Sequence, residues 1–391
     1  MFENSVAQRI GLLHTESAFQ ILAKAKALEA QGRHIIHMQI GQPDFKTPQN
    51  IIDAANRAMN DGFTGYGPTP GLPEARTAIA EYAARHKGIK TSMEEVIIVP
   101  GGKPIMFFTM LMLINLGDEA IYPNPSFPIY ESCIRFAGGV PVPYQLSAKN
   151  DFRLDIDEFK KLITPKTKLV LLNSPSNPTG GVFTREDYMA IADALRDRPD
   201  IFILADEIYD RLIFEGEVFS IASLPEFKDR TVILDGYSKT YAMTGWRLGY
   251  GIMHRDLVAH MEMLMVNSCS CTSTFSQIAG IEALTGPQDS VDTMRAAFIE
   301  RRNYLVEALN AIDGITCCMP KGAFYVFPDI SSFGINCKEF AERLLDEFGV
   351  AAAWGTAFGE YGEGYMRLSY ANSLDNIKIA VDRLEQFTKT L

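Results

Sequence analysis

Short apolar runs punctuate the middle of the chain: EVIIVPGG (95–102), EAIYPNP (119–125), KLVLLNSPSNPTG (168–180), IFILADE (201–207) and TVILDGYSK (231–239). Each is rich in β-branched or aliphatic residues, continuous rather than alternating, and closed by Gly, Pro, Asn or Asp, with amphipathic stretches in between. Continuous apolar runs belong to strands buried on both faces, and the stretches between them serve as crossover helices. The pattern predicts an α/β domain with a mostly parallel central sheet. From about residue 285 the texture changes. A long charged helical stretch, QDSVDTMRAAFIERRNYLVEALNAI, is followed by short strands at FYVFPDI and YMRLSYA, with a helix, CKEFAERLLDEFG, between them. This predicts a smaller α+β unit packed on the first. The expected division is a large domain of residues 46–284 and a small domain made of residues 1–45 and 285–391.

Length agrees with two domains, since 391 residues with 47% hydrophobic content exceed what one core usually holds. The net charge of -11, without a basic patch, argues against a nucleic-acid partner, whose phosphates would call for clustered Lys and Arg. The longest apolar run, IMFFTMLMLI (105–114), is too short for a membrane span and reads as a buried helix. MFENSVAQRIGLLHTE lacks the features of a secretory signal. The cysteines at 133, 269, 271, 317, 318 and 337 form neither a disulfide framework nor a zinc pattern, so reduced thiols in a cytoplasm are expected. Of the histidines at 14, 34, 37, 86, 254 and 260, only His34 and His37 are close together; no metal site is expected.

The unusual polar residues of the large domain fall at or just past the strand ends: Gly101, Gly102, Asn124, Asn177, Asp206 and Lys239. Open α/β sheets bind ligands there, so these distant segments are expected to converge on one pocket. VPGGKPIMFF sets Gly101, Gly102 and Lys103 between a strand and a helix, either as an anion cradle or as an ordinary tight turn. Asp206 ends an apolar strand and needs a buried partner, either a structural cation or the protonated ring nitrogen of a cofactor. Asn177 can hold a phenolic oxygen or a carboxylate without adding charge. Phe127 is either a core aromatic or a ring to stack on a planar ligand. In DGYSKTYAMTGWRLGY (235–250), Lys239 has no ionised neighbour before Arg247. Facing that second cation across a pocket lowers an amine's pKa, and a neutral amine forms Schiff bases. A phosphate cradle, a buried carboxylate, a phenolate partner, a stacking ring and such a lysine are together what pyridoxal 5'-phosphate requires.

These residues also carry a resemblance. IGQPDFKTP, GYGPTPGLPEAR, VPGGKPI, YPNPSFPIY, NSPSNPTGGVF, ADEIYDRL, DGYSKTYAMTGWRLGY, KGAFYVFPDI and GEGYMRLSYA occur in the order found in class I aminotransferases of fold type I, and the chain resembles the branch that contains bacterial aspartate aminotransferases. The resemblance implies that Lys239 holds the cofactor covalently and that Asp206 pairs with its ring nitrogen, while Tyr209 and Asn177 bond the ring oxygen. Gly102, Lys103 and Arg247, with the preceding Gly101, would bind the phosphate, Tyr66 would add a contact from the other subunit of a homodimer, and Phe127 would stack. Arg367 would grip the substrate α-carboxylate, with Gly41 and Asn177 lining the same end. Gly236 stands where some relatives place a phosphate-binding serine, which implies that this contact is absent or taken over by Ser238. Phe19 stands near a position where carboxylate-handling relatives carry a small hydroxyl residue, which speaks against a dicarboxylate preference.

The implied reaction is ping-pong transfer of an amino group from an L-amino acid to a 2-oxo acid, 2-oxoglutarate by analogy. The donor is open among aspartate, alanine, aromatic and aliphatic amino acids. Two competing readings are a carbon-sulfur β-lyase using the same cofactor and a non-catalytic binding or regulatory module on the same fold.

Overall fold

The computed structural model describes residues 5–13 and 16–391. At its centre lies an eight-stranded sheet of Val96–Val99 (β1), Glu119–Asn124 (β2), Val140–Ser147 (β3), Arg153–Leu154 (β4), Thr167–Asn173 (β5), Phe202–Asp206 (β6), Thr231–Gly236 (β7) and Gly249–Ile252 (β8). Their spatial order is β1-β8-β7-β6-β5-β2-β3-β4. Strands β3, β2, β5, β6 and β7 are parallel neighbours. β8 runs antiparallel to both β7 and β1, and β4 is antiparallel at the edge. All five sequence-predicted runs are strands of this sheet; β1 and β7 are buried along their whole length, as continuous apolar runs require.

Three strands were not foreseen. β3 reads VPVPYQLS, with prolines that suit a strand near the edge, β4 is only two residues long, and β8 is the glycine-bearing GYGI. Glycine is needed in β8 because a Cβ on Gly249 would lie 2.6 Å from the amide nitrogen of Gly102. The strand thus passes directly behind the turn that follows β1.

IMFFTMLMLI folds into the helix Lys103–Leu113, whose Ile105, Met106, Phe108, Met110 and Leu113 are buried. In the C-terminal part the long helix spans Asp289–Asn310 and packs with Cys337–Phe348 and Leu374–Thr388 around Phe298, Leu305, Phe340 and Phe387. The last two helices are fixed at their starts by Asn336 and Ser373, whose side-chain oxygens accept from the amides of Glu339 and Asn376. FYVFPDI contributes only Tyr325–Val326, paired with Met366–Ser369, which also pairs with Ala353–Trp354. Ile36–His37 lies parallel to Val350–Ala351, so the two chain ends share a small sheet.

Candidate active site

The C-terminal ends of β5, β6 and β7 open into a cavity of about 670 Å³, closed on the other side by the N-terminal segment and by Tyr325, Phe358 and Arg367. Gly102, Lys103, Phe127, Asn177, Asp206, Tyr209, Ser238, Lys239, Arg247, Gly41 and Arg367 all line it. Of the six strand-end residues expected to converge, Gly102, Asn177, Asp206 and Lys239 do so, and two do not. Gly101 does not line the cavity: it sits at φ +81, and a Cβ there would lie 2.1 Å from Arg247 Nη2, so the glycine makes room for the arginine. Asn124 faces away as well; its Oδ1 accepts from the Tyr361 amide at 3.3 Å, tying the end of β2 to the C-terminal part.

Lys239 follows β7 on the turn that leads back to β8. Its Nζ donates to the Gly41 carbonyl at 2.6 Å. Burial pulls its pKa down to about 8, aided by the Arg367 guanidinium and, to a lesser extent, by Arg247, while Glu16 opposes them. The sequence reading pointed to Arg247 as the facing cation; the larger influence is Arg367, because Arg247 is exposed at the cavity mouth. Among the described residues neither Lys239 nor Arg367 has an ion-pair partner. Arg367 is buried, donates from Nη1 to Asn177 Oδ1 at 2.9 Å and from Nη2 to the Gln39 carbonyl, and leaves Nε without a hydrogen bond.

Asp206 lies on the opposite side of the cavity. Its partner is not a cation: the Tyr130 hydroxyl donates to Oδ2 at 2.6 Å and the Ile208 amide donates to Oδ1 at 3.3 Å. Burial raises its pKa to about 6, against the pull of these two donors. The Tyr209 hydroxyl is 2.8 Å from that of Tyr325, and burial pushes its pKa well above the ordinary tyrosine value. Phe127 borders the cavity with its ring edge-on to Tyr130 at a centroid distance of 5.7 Å. Tyr130, Tyr325 and Asn173 were not singled out in the sequence; each is one tyrosine or asparagine among many, made special by a partner far away in the chain.

Beside the Gly101–Gly102 turn, Gly102 caps the helix Lys103–Leu113, and Ser238 and Arg247 line the same cavity. Arg247 donates to the carbonyls of Thr244 at 3.0 Å and Pro100 at 3.5 Å and, among the described residues, forms no ion pair. Lys103 projects elsewhere: its side chain is half exposed, its Nζ is engaged by the Glu16 carboxylate, and it lies 5.5 Å from the Phe127 ring centroid. Gly236 does not line the cavity, and a Cβ there would lie 2.9 Å from Gly249 Cα, so a serine would require a backbone shift. Phe19, with Ser17 and Ala18, forms part of the mouth. Tyr66 is 95% exposed and lies outside its own chain's cavity.

His37 Nε2 contacts Glu29 Oε1 at 2.8 Å and His34 Nδ1 contacts Arg383 Nη2 at 2.9 Å; His14 lies outside the described residues. Among the described residues no group of three or more His, Cys, Asp or Glu is placed to hold a metal, and no helix is long and apolar enough to cross a membrane. The six cysteines are free.

Fold and cavity together bring an amine of lowered pKa, a glycine turn at a helix N-terminus and a buried guanidinium into one space at the edge of an α/β sheet. The family model for aminotransferase class I and II matches residues 33–384, and the chain belongs to this family. It is 40% identical to an aspartate aminotransferase of Bacillus sp. (strain YM-2), over 98% of this chain and 99% of the relative. It is 36% identical to an aromatic-amino-acid aminotransferase of Thermococcus litoralis, over 98% of each chain. A solved aspartate aminotransferase from Thermus thermophilus, titled as containing maleate, superposes with a TM-score of 0.94 at 36% identity, over 99% of both chains. The protein is a pyridoxal phosphate-dependent aminotransferase.

The cavity fits that cofactor. The turn at Gly101–Gly102, kept free of side chains, meets an uncompensated Arg247 at a helix N-terminus, as a phosphate requires. An ionisable carboxylate and an amine of lowered pKa stand at separate points of the same space.

Proposed function

We propose that this aminotransferase takes the α-carboxylate of an L-amino acid on Arg367 and performs proton transfer at the substrate Cα with Lys239. The observation that carries the reading is the pair of cations in one cavity, Arg367 and Lys239, neither with a carboxylate partner among the described residues. A buried guanidinium without a counterion is costly unless an anion arrives to meet it. Asn177 then supports the fork from the side, since its Oδ1 already accepts from Nη1. Gly41 lines the same end.

Pyridoxal phosphate supplies the electron sink that lets the Cα proton leave. In this assignment Gly102, Ser238 and Arg247 hold the phosphate, and Gly101 admits the arginine. Asp206, ionised above about pH 6, keeps a proton on the ring nitrogen. Tyr209 and Asn177 would bond the ring oxygen, and Phe127 would border the ring. Lys239, with a pKa of about 8, is neutral often enough near neutral pH to accept the Cα proton as a base. Lys103 is assigned to the cavity mouth rather than to the phosphate, because Glu16 engages it. Tyr66 completes the phosphate site of a partner subunit in a cytoplasmic homodimer; its exposure and its absence from the lining of its own cavity favour that role. The acceptor is 2-oxoglutarate. The large domain of residues 46–284 carries the cofactor and the remainder closes over the substrate.

The test is a spectral titration of the cofactor-loaded protein with aspartate, alanine, phenylalanine and leucine singly, with no acceptor. Conversion of the visible band by one or more donors, reversed by 2-oxoglutarate, is the expected result. Release of pyruvate and ammonia from cystathionine without any oxo acid would overturn it in favour of a lyase. Sedimentation at assay concentration tests the dimer, since a fully active monomer removes Tyr66 from the site.

A further inference from the structure

Outside the cavity, a second lysine gathers an unusual set of charges. Lys87 ends the helix Pro73–Lys87, and its side chain has no exposed surface. Its Nζ donates to Glu207 Oε2 at 2.8 Å and lies 2.6 Å from Asp210 Oδ2 and 3.0 Å from Asp235 Oδ2. None of the four residues lines the cavity. Each carboxylate, however, sits close in the chain to a residue that does: Glu207 follows Asp206, Asp210 follows Tyr209, and Asp235, near the end of β7, precedes the turn that carries Ser238 and Lys239.

The surrounding groups leave the cation as the hub. His86 Nε2 is 3.6 Å from Asp210, the Tyr250 hydroxyl donates to Asp235 Oδ2 at 2.9 Å, and the Gly236 amide donates to Asp235 Oδ1 at 2.6 Å. Tyr82, Tyr188, Tyr241 and Arg211 face the same cluster. Three buried carboxylates repel one another, and bringing them together is unfavourable unless a cation lies between them. Glu207 also acts on Asp206 directly, raising its pKa. Lys87 therefore bears on the cavity through the backbone of the segments it ties and through Glu207, the carboxylate it pairs with.

We propose that Lys87 is a positioning residue for the aminotransferase reaction: it holds the 206–210 loop and the 235–239 turn in one register, so that Asp206, Tyr209 and Lys239 meet the cofactor together. This rests on the cofactor reading above. A structural ion pair would contribute stability only; a positioning hub must also set the geometry of the three residues it ties.

The experiment compares wild type, Lys87→Met and the triple variant Lys87→Met/Asp210→Asn/Asp235→Asn, all cofactor-loaded. Steady-state kinetics, the pH midpoint of the visible band and thermal melting are read for each. For Lys87→Met, kcat is expected to fall roughly 10- to 100-fold with the amino-acid KM little changed, and the midpoint to shift by about half a pH unit or more. If that variant does not fold, the triple variant decides, because it removes the repulsion without restoring the bridge. Folded protein with lowered kcat and a shifted midpoint supports the proposal. Wild-type kcat and midpoint in either folded variant, whatever its melting temperature, overturn it. Absence of a visible band in the wild type would instead overturn the cofactor reading.

Discussion

Lys239 and Lys87 are two lysines withdrawn from water at the same edge of one sheet, yet their amines are driven in opposite directions. Burial depresses both. Around Lys239 the cations Arg367 and Arg247 stand against the carboxylates of Glu16 and Asp206, burial is not overcome, and the pKa settles at about 8. Around Lys87 the carboxylates of Asp210, Asp235 and Glu207 overcome the burial and push the pKa well above the ordinary value. Desolvation thus does not by itself make a lysine reactive. The sign is decided by which charges the fold gathers around it, and here one strand, β7, leads to both outcomes, with Asp235 serving one lysine and the following turn carrying the other.

The contrast is broken most completely by removing the lysine of lowered pKa. Lys239→Ala should lose on the order of 10⁴-fold in kcat while still binding pyridoxal phosphate, measured by steady-state rates and by cofactor absorbance after gel filtration; near-normal turnover would refute the assignment. Next comes the cation that keeps Lys239 acidic. Arg367→Lys should cost about 1.5–3 kcal/mol in kcat/KM, roughly 10- to 150-fold, because an ammonium has no planar fork for a carboxylate; an effect confined to kcat would be the wrong signature.

The pH dependence sharpens the comparison without any substitution. Capture of pyridoxal phosphate by the apoprotein needs the neutral amine. Its rate should climb about tenfold per pH unit below about 8 and level off above it, rather than rise toward the ordinary lysine value. Stopped-flow absorbance between pH 6 and 9.5 measures this, and only Lys239, never Lys87, should be labelled when the adduct is reduced and mapped. On the carboxylate side, Tyr130→Phe removes the donor that restrains Asp206. The acid limb of the rate profile should move upward in pH from about 6, with kcat falling roughly 2- to 10-fold. The smallest effect belongs to Glu16→Gln. It frees Lys103 from a half-exposed ion pair worth at most about 1 kcal/mol, so the preference for aspartate over leucine should rise by up to about fivefold in kcat/KM.

The lining of the cavity was legible in the sequence where a residue stands out from its own neighbourhood. Lys239, Asp206 and the glycines at 101–102 stand out because a lysine without charged neighbours, a carboxylate ending an apolar run and a paired glycine turn are locally odd. Tyr130 and Tyr325 do not stand out: a buried tyrosine looks like any core aromatic until its hydroxyl meets Asp206, 76 residues away, or Tyr209, 116 residues away. Lys87 was invisible for the same reason, since ARHKG reads as the solvated end of a helix and its carboxylates come from elsewhere. Asn124 failed in the opposite sense, as a polar strand end that the topology turns toward the C-terminal part. In the fold, the continuous runs were plain, whereas β8 was not, because its Gly249 marks a close approach to Gly102 that only the packed sheet reveals.

The pairing of Ile36–His37 with Val350–Ala351 fixes the course of the residues that follow it. Two carbonyls further along, those of Gln39 and Gly41, accept from Arg367 and from Lys239. This stretch is a linkage with two arms, one on the cation assigned to substrate and one on the cation assigned to chemistry. A hybrid protein that exchanged the first forty-one residues for those of another aminotransferase would also exchange Glu16, whose carboxylate raises the Lys239 pKa, so the basicity of that amine and the shape of the mouth are set by one segment.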